Sequence, residues 1–173
     1  MMLGFRVAAL LGGYISFTQA TINDIAPQPP PPPSAPRALP AGKLIVGYAF
    51  CGSEANALNA IAEAVKGVNV LIWFSTSLSR IDPTTGQANN VGPNHTCVAQ
   101  VAKELRARQL PTAHMISIGG WDAPHPNTTA GTGAQWATAW QNWNADTVAQ
   151  PALGFPGYDG VDWDLEGNDR NTR

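Results

Sequence analysis

The chain is poor in charge: Asp, Glu, Lys and Arg make up only 13% of its 173 residues, and 10 basic against 12 acidic residues leave a net charge of −2. No basic block stands ready to neutralise a run of phosphates, so nucleic acid is not an expected partner. No apolar run reaches the roughly 18 to 20 residues that a bilayer-spanning helix requires, and no membrane span is expected. Two cysteines are too few to frame a disulfide-stapled miniprotein. The three histidines, His95, His114 and His125, stand at no ligand spacing with cysteines or acids, so a zinc site is not expected.

What is present divides into three stretches. Arg6 precedes an apolar run over residues 7–17, and small residues Thr18 and Ala20 follow. That order is the order of a secretory signal, so residues 1–20 are set apart from the fold and the destination is outside the cell. A buried core helix is the competing reading, weakened by Gly12 and Gly13 in its middle. Residues 21–41 form a linker rich in proline, with an unbroken run over 29–33. Proline fixes φ and removes backbone donors, which makes this a stiff polyproline II spacer. A single folded domain then occupies 42–173, with ample apolar content for a core.

Within that domain short apolar runs alternate with amphipathic segments. Residues 44–50 are nearly continuous in hydrophobicity, as in a parallel strand buried on both faces. Ser53 is placed to cap a helix whose stripe is Leu58, Ile61, Ala62 and Val65, and Gly67 is placed to stop it. A second strand over 68–75, a turn-rich loop over 82–93 and a helical stripe of Val98, Val101 and Leu105 repeat the unit. A third strand over 115–118 precedes a helix marked by Trp136, Trp140, Trp143 and Thr147. A fourth strand spans 160–165. This alternation implies an α/β fold with a parallel sheet and right-handed crossovers.

The segment richest in chemistry is 159–166. Side chains alternate across a strand, so Asp162, Asp164 and Glu166 project to one face while Val161, Trp163 and Leu165 project to the core. Same-face neighbours lie about 6.6 Å apart, close enough for repulsion to hold at least one proton on the group. A protonated carboxyl beside ionised ones is what a general acid for glycosidic cleavage needs. Clustered carboxylates equally suit a hard cation such as calcium or magnesium. Chemistry alone leaves the two open.

The acids at 159, 162, 164 and 166 resemble the D-x-x-D-x-D-x-E signature of glycoside hydrolase family 18, the chitinases and their relatives. Ser117, Gly119 and Gly120 resemble that family's S-x-G-G motif on the third strand, and residues 43–50 and 68–75 are similar to its first two strands. The resemblance implies a (β/α)8 TIM barrel with its site at the carboxyl ends of the strands. It also implies a retaining, substrate-assisted mechanism, an exception to the scheme with two catalytic carboxylates. Glu166 would protonate the leaving glycosidic oxygen, Asp164 would hold the acetamido N–H of the substrate, and Asp162 would tune the proton shared with Asp164. Asp159, at the opposite parity, reads as structural. The implied partner is chitin or an N-acetylglucosamine-containing oligosaccharide, with no metal and no cofactor. A glycosidase acting on glycoprotein N-glycans would share the motif.

Supporting positions follow. Gly119 and Gly120 allow backbone or sugar to approach closely. Tyr48 and Phe50 share a strand face and either line a sugar subsite or belong to the core. Trp121, just past the third strand, can stack on a sugar ring. Cys51 ends the first strand and Cys97 opens the second helix, so in a parallel barrel both lie at the carboxyl face; a disulfide and a pair of buried thiols are the two readings. Asn94-His95-Thr96 and Asn127-Thr128-Thr129 are glycosylation sequons in expected loops. A whole barrel takes about 250 residues, so the expected architecture is a barrel truncated after strand 4. Its open edges at strands one and four make activity of this stretch by itself unexpected, and a non-catalytic carbohydrate-binding relative is the alternative.

Overall fold

The computed structural model describes residues 38–77, 82, 85–86, 92–121 and 131–166. The expected signal at 1–20, most of the expected linker at 21–41, His125 and the sequon at Asn127 lie outside them. The elements are β1 (Val46–Ala49), α1 (Glu54–Val65), β2 (Val70–Thr76), α2 (His95–Ala107), β3 (Ala113–Gly120), α3 (Gly133–Trp143) and β4 (Gly160–Leu165). The four strands form one parallel sheet in the order β1-β2-β3-β4. The chain is therefore an α/β protein in which strands and helices alternate.

Each helix begins on a side-chain cap that satisfies an orphan backbone donor. Ser53 accepts from the Asn56 N–H, Asn94 from the Cys97 N–H, and Thr132 forms a reciprocal capping box with Gln135. The main core lies between helices and sheet, where Leu71 and Trp73 of β2 and Ile116 and Ile118 of β3 meet Val98, Val101 and Leu105 of α2 and Trp136 and Trp143 of α3. Leu105 is essentially fully buried, so its truncation to alanine costs about 2–5 kcal/mol. The opposite face of the sheet carries a smaller cluster of Val70, Ile72 and Ala113 with Met115 beside it. Beyond that cluster, toward the carboxyl ends, the same face turns polar at Ser117, Asp162 and Asp164.

Several details depart from the sequence expectation, each for a physical reason. In α1 the buried stripe is Ala57, Ala60, Ile61 and Ala64, while Leu58 and Val65 are exposed and Ala62 faces outward with them. Alanines let the helix approach the sheet and α2 closely, so the small residues face the core. β1 is shorter than expected and not buried on both faces. It is an edge strand among the described residues, with Val46, Tyr48 and Phe50 exposed. Thr147 is exposed and Val148 is buried instead. The reason is that α3 runs into a π-helical turn at Asn144–Val148, whose wider i→i+5 bonding shifts the phase by one residue. On β4 only Val161 packs against the core; Trp163 and Leu165 stay 56% and 48% exposed, because no described element covers them on the helix side.

The connection into β4 is pinned from two sides. The buried Asn144 amide donates to the Tyr158 carbonyl at 3.0 Å and accepts from the Tyr158 N–H at 2.8 Å. Arg106 of α2 donates to the Leu153 carbonyl at 2.7 Å. These bonds fix the segment that delivers β4 to the sheet.

Candidate active site

β3 and β4 pair so that Ser117 lies opposite Asp162 and Gly119 opposite Asp164. The register is anchored at the start of β4, where the Asp159 carboxylate accepts from the His114 N–H at 2.8 Å and the Asp159 N–H donates to the His114 carbonyl at 2.7 Å. Asp159 thus faces the backbone of β3, apart from the other three acids.

Asp162 is the hub of the constellation. Its Oδ2 accepts from the Tyr48 hydroxyl at 3.1 Å and from the Ser117 hydroxyl at 3.0 Å, so three strands converge on one oxygen. Slight burial, and after it the hydrogen bond to Asp162 and the negative charges of Asp162, Asp164 and Glu166, push the Tyr48 phenol above its ordinary value. The phenol is therefore a standing donor to the carboxylate at neutral pH. Parity within one strand can group Asp162 with Asp164, but Ser117 lies 45 residues and Tyr48 114 residues from Asp162. Only the sheet order and register reveal those pairings.

Glu166 follows β4 and is exposed. Its carboxyl titrates above the usual glutamate range because it is hydrogen-bonded to Asp164 and sits in that group's negative field. The raised carboxyl of Glu166 stands at the open end of the row. Beneath it, Gly119 has φ +124°, and a Cβ there would overlap the Asp164 carbonyl oxygen. Glycine is required at that point by the approach of β4. At Gly120, with φ +107°, a Cβ would lie 3.1 Å from the Phe74 ring.

No family model, curated protein or solved structure matches the chain.

The aromatic candidates are accessible. Trp121, immediately after β3, is 74% exposed and Tyr48 is 63% exposed. Phe50 lies one residue past the end of β1 and is exposed as well, so among the described residues neither it nor Tyr48 is packed into the core. A cleft of about 370 Å³ runs between β1 and α1, lined by Tyr48, Phe50, Asn56, Asn59 and Glu63 among others. It lies beside β1, the edge strand among the described residues.

Cys51 and Cys97 form a disulfide with a Cα–Cα distance of 5.9 Å. The bridge joins the segment after β1 to the first turn of α2, at the carboxyl end of the sheet. Asn94 reinforces it by donating its backbone N–H to the Cys51 carbonyl at 3.0 Å. Among the described residues no group of three or more His, Cys, Asp or Glu side chains is placed to hold a metal ion, and no helix is long and apolar enough to cross a membrane.

Proposed function

We propose that this protein is a secreted chitinase-type glycosidase of glycoside hydrolase family 18, and that its described strands are the first four of a (β/α)8 barrel. The observation that carries the reading is the row Asp162, Asp164 and Glu166 along β4, with Asp162 held by Tyr48 and Ser117 and with Glu166 bonded to Asp164. The disulfide accords with an oxidising compartment.

In the proposed reaction the exposed carboxyl of Glu166 protonates the leaving glycosidic oxygen as the bond from that oxygen to the anomeric carbon breaks. The carbonyl oxygen of the substrate's own 2-acetamido group attacks that carbon and closes a cyclic oxazolinium ion. Asp164 accepts a hydrogen bond from the acetamido N–H and balances the positive charge. Tyr48 and Ser117 keep Asp162 oriented beside Asp164. Glu166, now ionised, then takes a proton from water that opens the ring with overall retention. The acid step contributes about 10²–10⁴-fold.

A second reading is a carbohydrate-binding relative without turnover, favoured by the exposure of Tyr48, Phe50 and Trp121. Both are tested in the complete gene product with chito-oligosaccharides, following product anomers and, separately, binding. Cleavage with retention, lost in Glu166→Gln while binding persists, supports the glycosidase. Binding without cleavage in the parent protein supports the second reading. A Glu166→Gln variant with near-normal turnover, or a parent that neither binds nor cleaves, overturns the assignment.

A further inference from the structure

The Asn94 side chain of the first sequon also serves a helix. It is the N-cap of α2, and its Oδ1 accepts from the Cys97 N–H at 3.1 Å. Capping uses the carbonyl half of the amide only. The Nδ2 atom makes no hydrogen bond within the described residues, and both Asn94 and Thr96 are exposed. An N-linked sugar replaces one hydrogen on Nδ2 and leaves Oδ1 unchanged as an acceptor. Cap and glycan are therefore compatible on the same side chain.

We propose that Asn94 carries an N-linked glycan in the translocated protein, with Nδ2 bearing the sugar while Oδ1 caps α2. The donor is a polyprenyl-diphosphate-linked oligosaccharide. A bond forms between Nδ2 and the anomeric carbon of the first N-acetylglucosamine, the bond from that carbon to the diphosphate oxygen breaks, Nδ2 loses a proton and the lipid diphosphate leaves. Thr96 supplies the hydroxyl that the sequon requires. The attachment point is rigid: Asn94 is tied to Cys51 through its backbone, and Cys97, three residues on, is tied to Cys51 through the disulfide. It sits at the end of the sheet where Glu166 follows β4, so the glycan is rooted on the rim that a polysaccharide must approach.

The inference rests on the secreted reading but not on the glycosidase one, and the test separates them. The full chain is translated with microsomes behind its own N-terminus and, in parallel, behind an added secretory leader that ensures translocation. Deglycosylation in heavy-oxygen water then converts an occupied Asn94 to labelled Asp. Label at Asn94 in the protease-protected protein of the parallel arm is the expected result. An unlabelled Asn94 in that protein overturns the proposal. Failure of the native N-terminus alone overturns only the signal at 1–20. Three variants test the shared amide: Thr96→Ala and Asn94→Asp should each lose one glycan while matching each other in the melting of the deglycosylated protein, since both keep a capping oxygen. Asn94→Ala should lose the glycan and melt lower. Equal melting of Asn94→Ala and Asn94→Asp would refute the capping half.

Discussion

Replacing Asn144 by alanine removes one amide and leaves two backbone groups without partners. Tyr158, 1% exposed, would have neither the donor for its carbonyl nor the acceptor for its N–H, and water has little access to either. An unsatisfied buried polar group costs about 1–3 kcal/mol, so the pair costs about 2–6 kcal/mol. With a urea slope of about 2 kcal/mol/M, a loss of about 3 kcal/mol lowers the unfolding midpoint by about 1.5 M. The neighbouring tryptophan of α3, Trp143, stacks near Tyr158 at 6.3 Å and provides the fluorescence signal. Asp146→Ala, on the exposed side of the same turn, is the control and should change stability by no more than about 0.5 kcal/mol. Gly157→Ala supplies a second check, because its Cβ would meet the Asn144 amide at 2.7–2.8 Å. The double variant should therefore lose less than the sum of the singles. A midpoint for Asn144→Ala within about 0.3 M of the parent, well below the shift derived from that slope, would refute the reasoning.

Three further outcomes are expected. Opening the Cys51–Cys97 bridge with Cys51→Ala/Cys97→Ala frees a loop of sequence separation 46 and should cost about 4 kcal/mol by chain entropy; a loss under about 1 kcal/mol in denaturant titration counts against that entropic account. Gly119→Ala places a Cβ on the Asp164 carbonyl at φ +124° and should destabilise by about 3 kcal/mol or more, so an unchanged melting temperature would show that β3 and β4 are not held this close. The alkaline limb of kcat/KM should lie above the ordinary glutamate range, because the reactive form of Glu166 is protonated and its carboxyl is raised by Asp164. On that limb activity falls as pH rises through the raised value. Asp164→Asn should move the limb of the residual activity to lower pH, and a limb that stays in place excludes Asp164 as the cause.

The fourth strand was legible in the sequence at its full extent, because alternating acids and apolar residues from Val161 to Glu166 carry a period of two. Trp136 and Trp143, at helical spacing, likewise marked the buried face of α3. Leu58 and Val65 misled, since hydrophobicity weighs a leucine above an alanine while close helix packing prefers the alanine. The π turn defeated the reading at Thr147, for a helix that changes its bonding step has no constant period. At the site, parity could group Asp162, Asp164 and Glu166. The Tyr48 hydroxyl could join them only once β1 through β4 were known to lie side by side, which no local spacing encodes. The amide of Asn144 and the carboxylate of Asp159 act on backbone groups, and such bonds leave no trace in a hydrophobic pattern.

The sheet order β1-β2-β3-β4 repeats the order of the chain, and this has a consequence for how the protein is made. Among the described residues each strand after the first emerges to find its neighbour already in place, with one crossover to close and no earlier strand to wait for. Synthesis at about 5–20 residues per second is slow beside helix and loop formation, so each unit can dock before the next is complete. The bridge from Cys51 to Cys97 encloses α1 and β2. It can therefore close while β3 and β4 are still being made, locking the first crossover as a template whose free edge guides the strands that bring Ser117 and the carboxylates.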